Sequence, residues 1–149
     1  MDSLTDEKTL EISKDFHSSI AEIWIDDNGI CRAVLAPLSD IGIQETKEFF
    51  VIQKQILADK RVPVLFDMRG LNSSTVESRT YAAQHARELQ ATAIAILDNT
   101  SLGHVLGNLF VRLSKPHYPT KLFSKENEAI VWLNTYASLD TLSVNEGKQ

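Results

Sequence analysis

The chain is short of the residues that usually announce a chemistry. It has one cysteine, Cys31, so no disulfide can close within it, and a reducing compartment suits it. Its six glycines are scattered and form no glycine-rich phosphate loop. The four histidines, His17, His85, His104 and His117, never stand four apart or beside a cysteine, so no metal site is expected. No G-x-S-x-G elbow occurs, and a serine nucleophile has no histidine close by in sequence. No run approaches the roughly 18 consecutive apolar residues that a bilayer span requires. The opening MDSLTDEKTLEISKDF is acidic and lacks the apolar core of a secretory signal. Basic residues are also in the minority, 15 against 20 acidic. The net charge of -5 argues against a surface built to hold nucleic acid. These absences together lead us to expect a cytoplasmic protein with no cofactor, no nucleic-acid partner and no enzymatic activity.

What is present is globular. Hydrophobic residues make up 43% and charged residues 23% of the 149, enough to bury the core of one domain. We expect an N-terminal extension over residues 1–18, a single domain over 19–138 and a loose polar tail over 139–149.

The domain opens on a hairpin. Ser19 to Ala36 alternates polar and apolar residues and is interrupted by Asp27-Asn28-Gly29, residues that tolerate positive φ. Ser39-Asp40 is expected to open a helix whose apolar face holds Phe49, Phe50, Ile52, Ile56 and Leu57. Val62 to Met68 is nearly continuously apolar, as a parallel strand covered on both faces should be, and Pro63 sits near its start. Ser74 and Glu77 form an S-x-x-E capping box for a second helix, with Val76, Ala82, Ala83, Ala86 and Leu89 as its inner face.

Ala91 to Leu97 reads as another buried strand. A helix with a clean 3.6-residue period follows over Leu102 to Leu113. Thr120 to Phe123 makes a last strand. The closing helix puts Ala129, Trp132, Leu133 and Tyr136 on its inner stripe. The order is a β-hairpin followed by α-β-α-β-α-β-α. It implies an α/β domain with a mixed, mostly parallel sheet, helices packed on it and an antiparallel strand at one edge.

Candidate functional residues concentrate between Val62 and Arg79, because open α/β sheets meet ligands and partners at the carboxyl ends of their strands. Asp67 and Arg69 stand two apart at such an end. They would either orient a polar ligand or partner, or form an ion pair that steadies the loop. Asn72, Ser73, Ser74 and Thr75 follow in a polar loop. Ser74 is most simply a helix N-cap contributing about 1 kcal/mol. A phosphate there would also meet the positive end of a helix dipole. Gly103 and Gly107, four apart on one helix, imply a close approach by a neighbouring element, a ligand or a second copy of the chain. Arg112 to Lys121 is a local basic cluster, read as solvated loop charge or as a contact for an anionic group. Cys31 reads as a packed thiol.

The segments VPVLFDMRG, ATAIAIL and FSKENEAIVWL resemble the central strand, the next strand and the closing strand-helix of STAS-like domains, the fold of the anti-sigma-factor antagonists. The likeness spans Ser19 to Tyr136 and extends to a bacterial branch grouped with STAS and CRAL-TRIO lipid-transfer domains. The family's regulatory members carry an acidic-Ser-Ser/Thr-Gly-Leu loop in which a partner kinase phosphorylates a serine. Ser73 and Ser74 match that loop, while Asn72 stands for the acidic residue and Thr75 for the glycine. The resemblance implies a non-enzymatic regulatory domain that binds a protein partner, a kinase or regulator, through Asp67–Thr75, and it allows for a homodimer. The alternative it implies is a carrier of a small apolar or lipid-like molecule, which requires an apolar cavity.

Overall fold

The computed structural model describes residues 19–100 and 118–147, with side chains as far as Tyr136. Five strands form the main sheet in the order β1 (Ala21–Ile25), β2 (Cys31–Leu35), β4 (Val62–Asp67), β6 (Ala91–Leu97) and β7 (Thr120–Phe123). The first pair is antiparallel and every later pair is parallel, so the fold is the mixed α/β architecture expected, with its antiparallel strand at one edge.

The hairpin turn is held by one carboxylate. Asp26 accepts the backbone N–H groups of Asn28 and Ile30 at 2.9 and 3.0 Å and the Arg32 Nε–H at 2.9 Å, while Gly29 supplies the left-handed φ of 82°.

β4 is the middle strand. Its pairing with β6 is irregular between Val62 and Val64, where Pro63 has no N–H to give to the ladder. Residues of alternate parity along the strands face opposite layers. Ile23, Ala33, Leu35, Val64, Ile94 and Ile96 pack with helix α1 (Ile43–Leu57) and with Tyr81 and Ala82 of helix α2 (Val76–His85). On the other face Ile30, Leu65, Ala93, Ala95, Leu97 and Phe123 pack with Ala129 and Leu133 of helix α3 (Glu126–Gly147). Every residue of β6 is buried, as its uninterrupted apolar run requires.

Several expectations are corrected. Ser39-Asp40 does not open a helix. Leu38 takes a left-handed φ of 57°, and Ser39–Ile41 forms a short strand, β3, while α1 begins at Ile43 after Gly42. β3 pairs in parallel with β5 (Leu71–Ser74), so most of the expected polar loop is a strand in a two-stranded ribbon. A ribbon so short and exposed has no apolar alternation to reveal it, and its partner lies about thirty residues away in sequence.

The cap of α2 is Thr75 and not Ser74. Thr75 Oγ1 accepts the Ser78 N–H at 3.1 Å, because Ser74 is already engaged in β5. Val76, expected on the inner face, is 67% exposed at the first helical position. The tail expected beyond residue 138 is instead a continuation of α3 to Gly147, for no glycine or proline interrupts the chain between Glu126 and that residue. The expected Leu102–Leu113 helix, with Gly103 and Gly107, lies outside the described residues, as do His17, His104 and His117.

Candidate functional site

The inward stripe of α1 is not wholly apolar. Thr46, Phe50, Gln53 and Leu57 are its buried residues, at helical spacing, and Phe49, Ile52 and Ile56 flank them half-buried. Two polar side chains therefore face the sheet where an ordinary core would place leucine or valine. On α2, Ser78 is buried opposite, and its hydroxyl lies 2.5 Å from Thr46 Oγ1. Thr46 Oγ1 also donates to the Gly42 carbonyl, so these two hydroxyls are satisfied within the protein.

Gln53 is not. It is fully buried, and its Nε2 donates to Cys31 Sγ at 3.5 Å, while Oε1 has no hydrogen-bond partner among the described residues. A buried carbonyl without a donor costs on the order of 1–3 kcal/mol.

Gln53 is one of the residues that line a cavity of about 150 Å³. Leu35, Val64, Phe66, Ile94 and Ile96 form its sheet wall. Phe49, Phe50 and Gln53 come from α1, and Ser78, Arg79, Ala82 and Ala83 from α2. The ribbon closes one side with Ile41, Leu71 and Ser74, and Met68 joins them from the turn after β4. The Val62–Arg79 stretch singled out in the sequence thus contributes Val64, Phe66, Met68, Leu71, Ser74, Ser78 and Arg79. Phe49, Phe66, Met68 and Leu71 are only half-buried, so the cavity opens toward solvent at this margin.

Arg79 is the one charged side chain in the wall. It is half-buried, and its Nη1 donates to the Ser74 carbonyl at 2.7 Å and to Ser74 Oγ at 3.0 Å. Among the described residues no carboxylate pairs with it. Arg32 and Arg69, by contrast, are held by Asp26 and Asp67.

The other singled-out residues fall into two groups outside the cavity wall. Asp67, buried at the end of β4, accepts Arg69 N–H at 3.0 Å, Nε–H at 3.0 Å and Nη2–H at 2.7 Å, so the two form the loop-steadying ion pair. Arg69 also reaches Glu126 at the start of α3, at 3.5 Å. Asn72 and Ser73 are exposed on the ribbon and both donate to Asp40 Oδ1, at 2.7 and 2.6 Å. These two bonds hold the Asp40 carboxyl below the usual carboxylate range. Thr75 is the helix cap.

The hydroxyls of Ser73 and Ser74 are therefore bonded to Asp40 and Arg79. His85 is engaged elsewhere, stacked on Tyr81 and paired with Glu88. Cys31 is buried as expected, and burial pushes its thiol up to about 12. Among the described residues no cluster of His, Cys, Asp or Glu could hold a metal, and no helix is long and apolar enough to cross a membrane.

Four residues escaped the sequence reading: Thr46, Gln53, Ser78 and Arg79. A signal for the first two was present, since both lie on the stripe through Phe50 and Leu57. Ser78 and Arg79 stand one turn into a helix and carry no local mark.

Comparison with known proteins agrees with this architecture. An uncharacterised protein of the DUF3478 family from Shewanella loihica PV-4, described as having a SpoIIAA-like fold, superposes with a TM-score of 0.53. It is 16% identical and aligns over 76% of this chain and 91% of its own. At that identity it shows the fold alone, a STAS-like one. A protein of unknown function from Arthrobacter sp. FB24 is 28% identical over 74% of this chain and 90% of its own, with a TM-score of 0.29. No curated protein matches the chain. The sequence family described as a domain of unknown function, DUF7793, matches residues 23–137, and the chain belongs to that family.

Proposed function

We propose that this STAS-like domain is a non-enzymatic binder of a small, mainly apolar molecule held between the sheet and helices α1 and α2. The observation that carries this reading is an apolar cavity lined in part by Gln53, whose buried Oε1 has no hydrogen-bond partner among the described residues. A binding pocket is expected to be apolar with a few placed polar groups, and an oxygen left without a donor is satisfied by a ligand that supplies one. The volume bounds the ligand. An apolar cavity of about 150 Å³ takes a molecule the size of benzene, which favours a compact guest over the long-chain lipid of the transfer-protein likeness.

Titration of isotopically labelled protein with benzene and with phenol tests the proposal. Both should shift the resonances of Phe49, Val64 and Ile94. Phenol should also move the Gln53 side-chain amide and bind more tightly. Gln53→Leu should erase the difference. If neither probe shifts the cavity residues, the reading fails.

A second reading, a partner-controlled switch, is favoured by the exposure of Ser73. Its hydroxyl is accessible and bonded to Asp40 across the ribbon, so a phosphate there would face a carboxylate. Repulsion would loosen the β3–β5 ribbon that walls the cavity. Ser73→Asp should then weaken phenol binding while Ser73→Ala leaves it unchanged. Equal binding by the two variants would exclude the switch.

A further inference from the structure

Resting on the cavity reading, we infer that the natural ligand is a small monocarboxylate, its carboxylate paired with Arg79 at the cavity margin and its apolar body between α1 and the sheet. Arg79 is the observation behind this, and it is independent of Gln53. A guanidinium offers five N–H donors in a planar fork, and here Nη1 alone is engaged, by the two oxygens of Ser74. Its charge has no carboxylate partner among the described residues, although the side chain is half-buried in a cavity wall that Met68, Leu71 and Ala82 also line. Arg32 and Arg69 show what the fold does with arginines that serve structure: each is matched to an aspartate.

The geometry of the fork matches a carboxylate, which it can hold by two parallel hydrogen bonds. Ser74 adds to the anchor, for its Oγ accepts from Arg79 and its own proton remains available to an anion. The charge balance selects the ligand class. One cation in an otherwise uncharged wall neutralises one negative charge, whereas a phosphate dianion would bring a second, uncompensated charge to an apolar margin. The volume allows roughly six carbon atoms in the body.

The test is a titration of the whole chain with hexanoate and with hexanamide, which share shape and differ in charge, each followed at the cavity resonances near neutral pH. The wild-type protein should bind hexanoate about tenfold more tightly or better, as a charge-assisted pair in a half-buried site allows. Arg79→Gln should remove that preference, so that it binds hexanoate and hexanamide alike. Arg79→Lys, which keeps the charge and loses the fork, should restore part of it. Equal binding of the two probes by the wild-type protein overturns the carboxylate inference and leaves the cavity reading standing. Failure of both probes to reach the cavity overturns the two together. The decisive comparison is made on the unaltered protein and does not depend on the variants folding.

Discussion

The Gln53 side chain hydrogen-bonds the Cys31 sulfur across the contact between α1 and β2, Nε2 to Sγ 3.5 Å, and leaves its own oxygen without a donor. A sulfur is a weak acceptor, so this contact compensates little of the desolvation of a fully buried amide. Gln53→Leu should therefore stabilise the empty protein by about 1 kcal/mol or more, because the unpaired carbonyl disappears and apolar volume takes its place. Chemical denaturation of both proteins without ligand measures this. A destabilised Gln53→Leu protein would mean that the amide is satisfied in solution.

Alkaline stability should follow two buried groups. Burial raises the Cys31 thiol from 9.0 to about 12 and the Tyr118 phenol from 10.0 to about 12. Both folded-state values lie above the unfolded ones, so the fold holds these protons more tightly. The contribution is fully present below the unfolded values and is lost as pH rises from about 9 toward 12. Cys31→Ala should flatten the lower part of that decline. The same burial predicts a thiol unreactive toward disulfide reagents near neutral pH until the protein unfolds. Tyr118→Phe should flatten the upper part, at a cost of about 1 kcal/mol for the lost hydrogen bond to the Ala86 carbonyl.

Gly70 is required for closeness. A β-carbon there would stand 2.3 Å from the Ala36 carbonyl oxygen and 2.7 Å from that of Leu35. Both obstacles are backbone, and the adjoining Ser39 N–H to Gly70 carbonyl bond of 2.9 Å joins the ribbon to the turn after β4. Gly70→Ala should cost roughly 1–3 kcal/mol by overpacking, read as a lowered denaturation midpoint. It should also weaken phenol binding, since Leu71 and Ser74 move with the ribbon.

Acid should loosen the ribbon only below the usual carboxylate range. Asp40 is held below the usual carboxylate range by the Ser73 hydroxyl and then the Asn72 amide. A depressed carboxyl stabilises above its unfolded value, and that support is lost as pH falls through the folded one. NMR titration of the carboxyl carbons should show Asp40 titrating below the usual carboxylate range. Ser73→Ala should raise it more than Asn72→Ala. An unmoved Asp40 in both variants would show that the two bonds do not persist in solution.

The sequence was legible where structure is local. The hairpin follows from Asp27-Asn28-Gly29, β4 and β6 follow from apolar runs, and the expected bounds of β4, β6 and β7 match the observed ones to within a residue. The α/β order follows from the switch between periods of two and 3.6. The ribbon was not legible. Leu71-Asn72-Ser73-Ser74 carries turn residues, and pairing with Ser39–Ile41 makes it a strand, a partner no local pattern can name. The same pairing takes Ser74 out of the helix cap and moves that role to Thr75.

The residues themselves determined that this chain would bury a parallel sheet under amphipathic helices, because apolar periodicity needs no partner to be read. Tertiary structure alone decided that Ser78 meets Thr46 in the interior that Gln53 shares and that Arg79 stands at its margin with no acid among the described residues. The stretch from Val62 to Arg79 holds part of that wall, and the rest comes from α1, β2, β6, the strand before α1, the later part of α2, Ile20 and Leu89. A cavity is the space left between elements that do not fill it. Its chemistry therefore depends on which side chains are brought face to face, a property of the folded arrangement and not of any one segment.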